Sequence, residues 1–189
     1  MKPSREEAFT LLKKYNESPA LIKHALAVEG VMRRFARESG EDVEKWGTIG
    51  LLHDIDYERH PDEHCKKAAE ILAAEGVDEE YIHGVCSHGY GICSDVEPTH
   101  RMEKVLYAID ELTGLVNAAA IMRPSKSVMD LEYKSLMKKY KSPNFAAGVD
   151  RRVIERGAQW LGVDLKFLVD ETILGMREVA DSIGLGAPA

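Results

Sequence analysis

The chain has 189 residues, of which 44% are hydrophobic and 30% are charged, as is typical of one globular domain. Its 25 lysines and arginines against 32 aspartates and glutamates give a formal net charge of −7, which disfavours a protein that binds duplex nucleic acid by neutralising phosphates. The sequence contains neither an N-terminal apolar segment nor a run of about 18 apolar residues, so neither a signal peptide nor a transmembrane helix is expected.

Apolar residues at helical spacing predict helices along almost the whole chain. The predicted helices, bounded by cap residues, glycines or prolines, cover residues 4–15, 18–39, 42–54, 62–75, 78–88, 99–122, 125 or 127–140, 150–161 and 164–183. Residues 89–98 form a longer connection than is usual between helices, and such loops often carry function. No alternating segment is long enough to predict a strand. The predicted fold class is therefore all-α, a globular multi-helix bundle, with a tail from Gly186 that we expect to fray.

Metal-competent side chains occur on or beside the apolar faces of three different predicted helices. His24 lies on the apolar stripe of the second helix, His53 and Asp54 end the third, and Asp110 lies at the edge of the stripe of the sixth. Buried carboxylates are costly unless they are paired or bound to metal, so one divalent ion would explain all four residues. Each residue alone has a plainer interpretation, since His24 could be a hydrogen-bonded core residue and Asp110 could face water.

The order of these residues resembles the H…HD…D signature of the HD-domain metal-dependent phosphohydrolases, over roughly residues 18–122. The run LLHDID at 51–56 is similar to the LLHDIG-type motif of that family, and YAIDEL at 107–112 is similar to its second aspartate helix. The resemblance implies an HD-domain core in residues 1–122 and additional C-terminal helices in residues 123–189, packed as a single compact unit. It further implies that one divalent metal is bound by His24, His53, Asp54 and Asp110.

Mixed nitrogen and oxygen ligands favour Mn²⁺, Co²⁺, Fe²⁺ or Ni²⁺, with Mg²⁺ possible. Binuclear members of the family carry further histidines between the HD pair and the last aspartate. His64 and His88 stand in similar places, so they are candidates for a second metal or for contact with the substrate. The remaining histidines, His60, His83 and His100, are expected to face solvent.

The motif departs from the family pattern at its catalytic end. Asp56 replaces the motif's glycine, and Tyr57 stands where some nucleotidase members have a catalytic glutamate, with Glu58 on its other side. Asp54 and Asp56 are the candidate catalytic residues. Which carboxylate orients the attacking water stays open at this point.

A phosphorylated substrate requires cationic groups nearby. Arg123 and Lys126 flank Pro124 at a predicted helix start, where backbone N–H groups also favour an anion, and they are the candidate phosphate contacts. The lysines between 134 and 141 are more simply interpreted as a solvated helix face. The three cysteines, an odd number without paired spacing, favour reduced thiols in a cytoplasmic protein, and a zinc site near His83 and His88 fits no known finger or ribbon spacing.

The leading hypothesis is a metal-dependent phosphohydrolase that cleaves a phosphomonoester or phosphodiester of a nucleotide or related small molecule with a metal-activated water. An alternative is a non-catalytic HD module that binds a phosphorylated ligand or a partner protein and keeps a structural metal. A third class, a di-iron oxygenase, requires both His64 and His88 as ligands. Residues 123–189 could cover the mouth of the site or form a dimer face, so a monomer and a homodimer are both compatible with the sequence.

Overall fold

The computed structural model describes residues 1–187, which form helices joined by turns, with one isolated bridge between Tyr90 and Ser94. The all-α prediction is confirmed. The predicted fraying of the tail concerns in part residues 188 and 189, which lie outside the described residues. Within residues 1–187 the helices α1 to α9 are, in chain order, Arg5–Tyr15, Pro19–Ser39, Val43–Leu52, Lys66–Ala74, Glu79–Ser87, Arg101–Ile121, Tyr133–Tyr140, Arg151–Leu161 and Leu165–Glu178.

Most predicted helix ends coincide with capping contacts. The Ser4 hydroxyl accepts a hydrogen bond from the Glu7 backbone N–H, and the Glu7 carboxylate accepts one from the Ser4 N–H, which is a reciprocal capping box. Helix α2 ends at Gly40, which has the left-handed conformation (φ 68°) that glycine adopts without steric cost. The side chains of Asp150 and Asp164 cap α8 and α9, as the sequence predicts.

The fourth and the last predicted helices are shorter than expected. The fourth, predicted for 62–75, begins at Lys66 because the preceding Cys65 has a left-handed φ of 66°, outside the helical region. The last, predicted for 164–183, ends at Glu178 and continues as turns.

The seventh helix begins at Tyr133 and not at Ser125 or Ser127. The Ser125 hydroxyl donates a hydrogen bond to Asp130, and the Ser127 hydroxyl donates one to the carbonyl of Leu185. These side-chain contacts compete with helix formation and hold the segment in turns.

Helices α2 and α6 form the centre of the fold. They pack against each other, α3 and α9 pack on α2, and α8 packs on α6. Glycine permits the α6–α8 contact, because a Cβ atom on Gly157 would lie 2.5 Å from the Cα atom of Ala108. One hydrophobic core therefore contains residues from 1–122 and from 123–187. None of the helices in residues 1–187 has the combination of length and hydrophobicity needed to span a bilayer.

Candidate metal centre

Helices α2, α3 and α6 bring four metal-competent side chains together. His24 belongs to α2, His53 and Asp54 directly follow α3, and Asp110 belongs to α6. One nitrogen or oxygen atom of each lies within 4.8 Å of those of the others, and we call these residues the first donor set. His24 Nε2 lies 2.9 Å from Asp110 Oδ1, while His53 Nε2 lies 3.2 Å from both Asp110 Oδ1 and Asp54 Oδ2.

The hydrogen bond behind His53 explains why a cation fits between these groups. His53 Nδ1 donates to the carbonyl of Gly50 at 2.7 Å, so the proton of a neutral imidazole is on Nδ1. Its Nε2 then presents a lone pair to His24 Nε2 at 3.2 Å and to the two carboxylates. Lone pairs at such distances repel one another unless a proton or a metal ion lies between them. Two imidazoles and two carboxylates are suitable ligands for a divalent ion.

In the metal-free protein, protons compensate these charges. Burial of His53 by itself lowers its pKa, but the charges of Asp54 and Asp110 outweigh burial and raise that pKa well above its usual value. Burial likewise acts to raise the carboxyl pKa values of Asp54 and Asp110, yet the charge of His53 holds both below their usual range. The positive charge of protonated His53 thus balances the two carboxylates in the metal-free protein, as the charge of a metal ion would.

Asp54 also belongs to a second donor set, with His64 and His88. His64 Nε2 lies 3.3 Å and His88 Nε2 3.6 Å from Asp54 Oδ1, and the two nitrogens are 3.0 Å apart. His88 Nδ1 donates to the carbonyl of Val85, so its Nε2 lone pair faces this group. The two carboxylate oxygens of Asp54 therefore face different donor sets, Oδ2 the first and Oδ1 the second.

Asp56 lies behind His64. Its Oδ1 accepts a hydrogen bond from His64 Nδ1 at 2.7 Å, and its Oδ2 accepts one from the backbone N–H of Ala68 at 2.8 Å. Its side chain is buried and does not line the cleft into which the donor sets open. Both of its oxygens bind protein groups, which favours a positioning residue that fixes the orientation of His64. The catalytic role of Asp56 stays a prediction.

We expect Asp56→Asn to weaken metal binding at the second donor set by about 10- to 100-fold, because His64 loses the carboxylate that sets its tautomer. Calorimetric titration of the metal-stripped protein with Mn²⁺ or Co²⁺ measures this. The matched control is Asp62→Asn, which changes an exposed carboxylate in the same segment and should leave the affinity unchanged. Equal affinities for Asp56→Asn and the unchanged protein would contradict the positioning role.

Metal binding should also release protons. Burial lowers the pKa of His64, but its hydrogen bonds to Asp54 and Asp56 outweigh burial and raise it from 6.5 to about 10. His64 is thus protonated in the metal-free protein at neutral pH and must lose that proton to bind a metal. We expect apparent metal affinity to increase as the pH rises from about 6.5 towards 10. Calorimetry in buffers of different ionisation enthalpy counts the released protons, and a count of zero at pH 7.5 would contradict this coupling.

Both donor sets open into one cleft of about 400 Å³, which we call the metal cleft. Among the described residues, no lysine or arginine lines it, and Glu111 is its one carboxylate outside the donor sets. Burial and the neighbouring charge of Asp110 raise the pKa of Glu111 to about 7, and its Oε2 accepts a hydrogen bond from the backbone N–H of Asp150. The sequence analysis gave Glu111 no role. Its helical spacing with Tyr107, Asp110 and Gly114, which also line the cleft, is a signal that could have revealed it.

The predicted phosphate contacts do not reach the metal cleft. Arg123 forms an ion pair with Asp130, at 2.8 Å. It follows Asp110 by 13 residues, which corresponds to about 20 Å along a helix. Lys126 lines a different cavity, which His24 also lines. Neither residue is therefore placed to contact a phosphate at the donor sets.

The other histidines and the cysteines lie outside both donor sets. His83 binds the Glu103 carboxylate at 2.6 Å, and the exposed His100 caps α6. The free thiols of Cys93 and Cys65 lie side by side, with 3.4 Å between their sulfur atoms. Cys93 has no such contact with His83 among the described residues. One nitrogen of His64 lies within 4.8 Å of both sulfur atoms, so the thiols adjoin the second donor set.

The HD-domain family model matches residues 21–115, just over half of the chain, and this segment contains all of both donor sets. The chain belongs to the HD-domain family. The resemblance of its histidine and aspartate pattern to that family is therefore confirmed. The family includes metal-dependent phosphohydrolases, and the cluster of histidines and aspartates in this HD domain fits a metal site.

Ribonuclease Y from two strains of Nitratidesulfovibrio vulgaris, DP4 and Hildenborough, is similar to this HD-domain protein. Each is 29% identical over 101 residues, which are 51% of this chain. The chain spans only 18% of the length of these curated relatives. No solved structure is significantly similar to the chain.

Proposed function

We propose that this HD-domain protein is a metal-dependent phosphohydrolase that cleaves a phosphomonoester or phosphodiester bond of a nucleotide or related small molecule. The observation that carries the proposal is the position of Asp54, whose two oxygens face two donor sets at the base of one open cleft. A bridging carboxylate between two sets of histidines suits either one ion or a pair of ions that share a ligand.

Divalent ions at such ligands lower the pKa of a bound water and polarise a phosphoryl oxygen. The protein's own residues supply orientation and proton transfer. His53 and His88 are fixed by backbone carbonyls, and Asp56 fixes His64, so the donor atoms need little rearrangement on binding. Glu111 in the cleft wall is proposed to hold the proton that the leaving oxygen takes up, since it is the one carboxylate among the described lining residues that belongs to neither donor set.

The absence of lysine and arginine from the lining of the metal cleft, among residues 1–187, has a consequence for substrate binding. Metal ions held by the donor sets would therefore balance most of the negative charge on the reacting phosphate. We therefore expect activity to require metal for binding as well as for chemistry, so that a subsaturating metal concentration raises the apparent KM and lowers the apparent kcat together.

The test is turnover by the full chain loaded with Mn²⁺ or Co²⁺. The substrates are p-nitrophenyl phosphate, bis(p-nitrophenyl) phosphate and nucleoside mono-, di- and cyclic phosphates, with short RNA oligonucleotides included because the similar curated proteins are named as ribonucleases. We expect hydrolysis that chelation abolishes and added metal restores. Bound metal without turnover of any of these substrates would refute the proposal and favour a non-catalytic HD module.

A second candidate function is a di-iron oxygenase, because this class needs both His64 and His88 as ligands and the structure places them beside Asp54. Elemental analysis of protein expressed with ample iron separates the two functions. Two iron atoms per chain together with oxygen consumption would favour the oxygenase, whereas one iron atom or fewer per chain would exclude it.

A further inference from the structure

A second cavity of about 400 Å³ lies between α2, α6 and the C-terminal turn at 183–185. We call it the lysine cavity, because Lys23 of α2 and Lys126 of the turn after α6 both line it. It adjoins the metal cleft through His24, which lines both.

The charge of the lysine cavity is unbalanced. No aspartate or glutamate among residues 1–187 lines it, and within the same range neither Lys23 nor Lys126 forms an ion pair. This contrasts with Arg123, three residues before Lys126, whose charge is compensated by Asp130. Two uncompensated ammonium groups at one cavity favour an anionic ligand.

The backbone is constrained beside both lysines, whose side chains are exposed. Lys126 has a left-handed φ of 49°, which is unfavourable for a residue with a side chain. The adjacent Ser127 and Val128 both bind the carbonyl of Leu185, which fixes this turn against the C-terminal segment. Gly184 leaves room for the other lysine, because a Cβ atom there would lie 3.1 Å from Lys23 Nζ. The strained backbone at Lys126 and the glycine beside Lys23 thus fix the two chain segments that border the cavity.

Two polar groups of α6 complete the site. Thr113 is fully buried, lines the cavity, and its hydroxyl has no hydrogen-bond partner among the described residues. A buried hydroxyl without a partner is destabilising, so a ligand that reaches it and accepts its hydrogen bond offsets that cost. Asn117, one turn further along α6, lines the same cavity, and its amide makes no hydrogen bond within residues 1–187.

We propose that the lysine cavity binds a phosphate-type anion through Lys23, Lys126, Thr113 and Asn117. This goes beyond the proposed hydrolysis, because the site lies outside the donor sets and needs no metal. His24 connects it to the metal centre: Nε2 belongs to the first donor set, and Nδ1 has no acceptor among the described residues. A metal-binding histidine usually donates a hydrogen bond from its second ring nitrogen. An anion beside His24 therefore supplies the acceptor that Nδ1 lacks.

The test is calorimetric binding of inorganic phosphate to the full chain after removal of metal with a chelator. We expect binding that Lys23→Gln and Lys126→Gln each weaken about 10-fold, because each removes a charge-assisted hydrogen bond. Lys141→Gln is the matched control, since this exposed lysine at the end of α7 lines no part of the cavity and should leave affinity unchanged. Equal affinity in all three variants, or no binding to the unchanged protein, would overturn the proposal.

Thr113→Val separates a ligand contact from a structural defect. The substitution keeps the shape of the side chain and removes the unpartnered hydroxyl, so thermal stability without phosphate should stay equal or increase. The stabilisation gained on adding phosphate should become smaller than in the unchanged protein. If phosphate stabilises Thr113→Val as much as the unchanged protein, the Thr113 hydroxyl does not contact the anion, and this part of the proposal is overturned.

A further experiment distinguishes two sources of the anion. Only this experiment rests on the proposed hydrolysis. If the anion is a second phosphate of the substrate, Lys126→Gln raises KM about 10-fold for nucleoside diphosphates and leaves monophosphates unchanged. If it is a free anion, neither KM changes, and phosphate alters Mn²⁺ affinity in the unchanged protein but not in Lys126→Gln. If the protein hydrolyses none of the substrates, phosphate binding can still be measured. The two proposals can therefore fail separately.

Discussion

Asp54→Asn is expected to lower kcat/KM for any phosphate ester the protein turns over by about 1,000-fold or more, because metal ions contribute several kcal/mol to the transition state. Asp54 is the one residue shared by both donor sets. An asparagine has nearly the same size, so no cavity forms, but it provides one neutral oxygen where the carboxylate provided two charged ones. The loss should appear in kcat as well as in metal content, measured by turnover and by elemental analysis on the same sample.

The matched control is Asp62→Asn, in the turn that follows the motif, where the carboxylate is exposed and lies outside both donor sets. It should retain full activity and metal content. Circular dichroism is expected to be the same for both variants and the unchanged protein. Activity of Asp54→Asn within a factor of ten of the control would show that neither donor set participates in the reaction.

The sequence predicts the helices well where the end of each helix is determined locally. The capping side chains of Ser4, Ser18 and Asp164 act within three residues of themselves, so a short pattern suffices. The start of α7 could not be predicted in this way. Ser125 and Ser127 have the composition of cap residues, but the partner of Ser127 is the carbonyl of Leu185, which is 58 residues away.

The candidate site shows the same division between local and distant determinants. His24, His53 and Asp110 were found because each carries a metal-competent group at a position that its helix turns towards the core. Asp56 follows the motif closely and so was expected to act on the substrate. Its actual partners, His64 and the N–H of Ala68, are determined by how α4 packs, which no motif encodes.

Arg123 and Lys126 do not line the metal cleft, and the reason is geometric. Both follow the end of α6 at Ile121, which lies about 17 Å along the helix from Asp110. Helical periodicity could have separated the faces of α6, since Glu111 and Gly114 line the metal cleft while Thr113 and Asn117 line the lysine cavity. Which of these faces meets which neighbouring helix depends on tertiary packing.

Gly157→Val is expected to reduce the free energy of unfolding by about 4 kcal/mol, and Gly157→Ala by about 2 kcal/mol after the gain in helix propensity is subtracted. The cause is the crossing of α8 over α6, where any Cβ atom on Gly157 meets the backbone of Ala108, 2.5 Å from its Cα and 3.1 Å from its nitrogen. Backbone atoms cannot move aside as the end of a flexible side chain can. Urea denaturation of the metal-free protein measures both changes.

The same substitutions should disturb the metal cleft, because α8 forms part of its wall. Val153 of α8 lines the cleft, and the backbone N–H of Asp150 at the start of α8 binds Glu111. If α8 moves away from α6, Glu111 loses this partner, and kcat should fall while the first donor set, on α2, α3 and α6, still binds metal. Gly148→Ala is the control, since no atom lies within 4 Å of a Cβ there, and its stability should change by less than about 0.5 kcal/mol. Equal losses at Gly148 and Gly157 would show that the α6–α8 contact is not the cause.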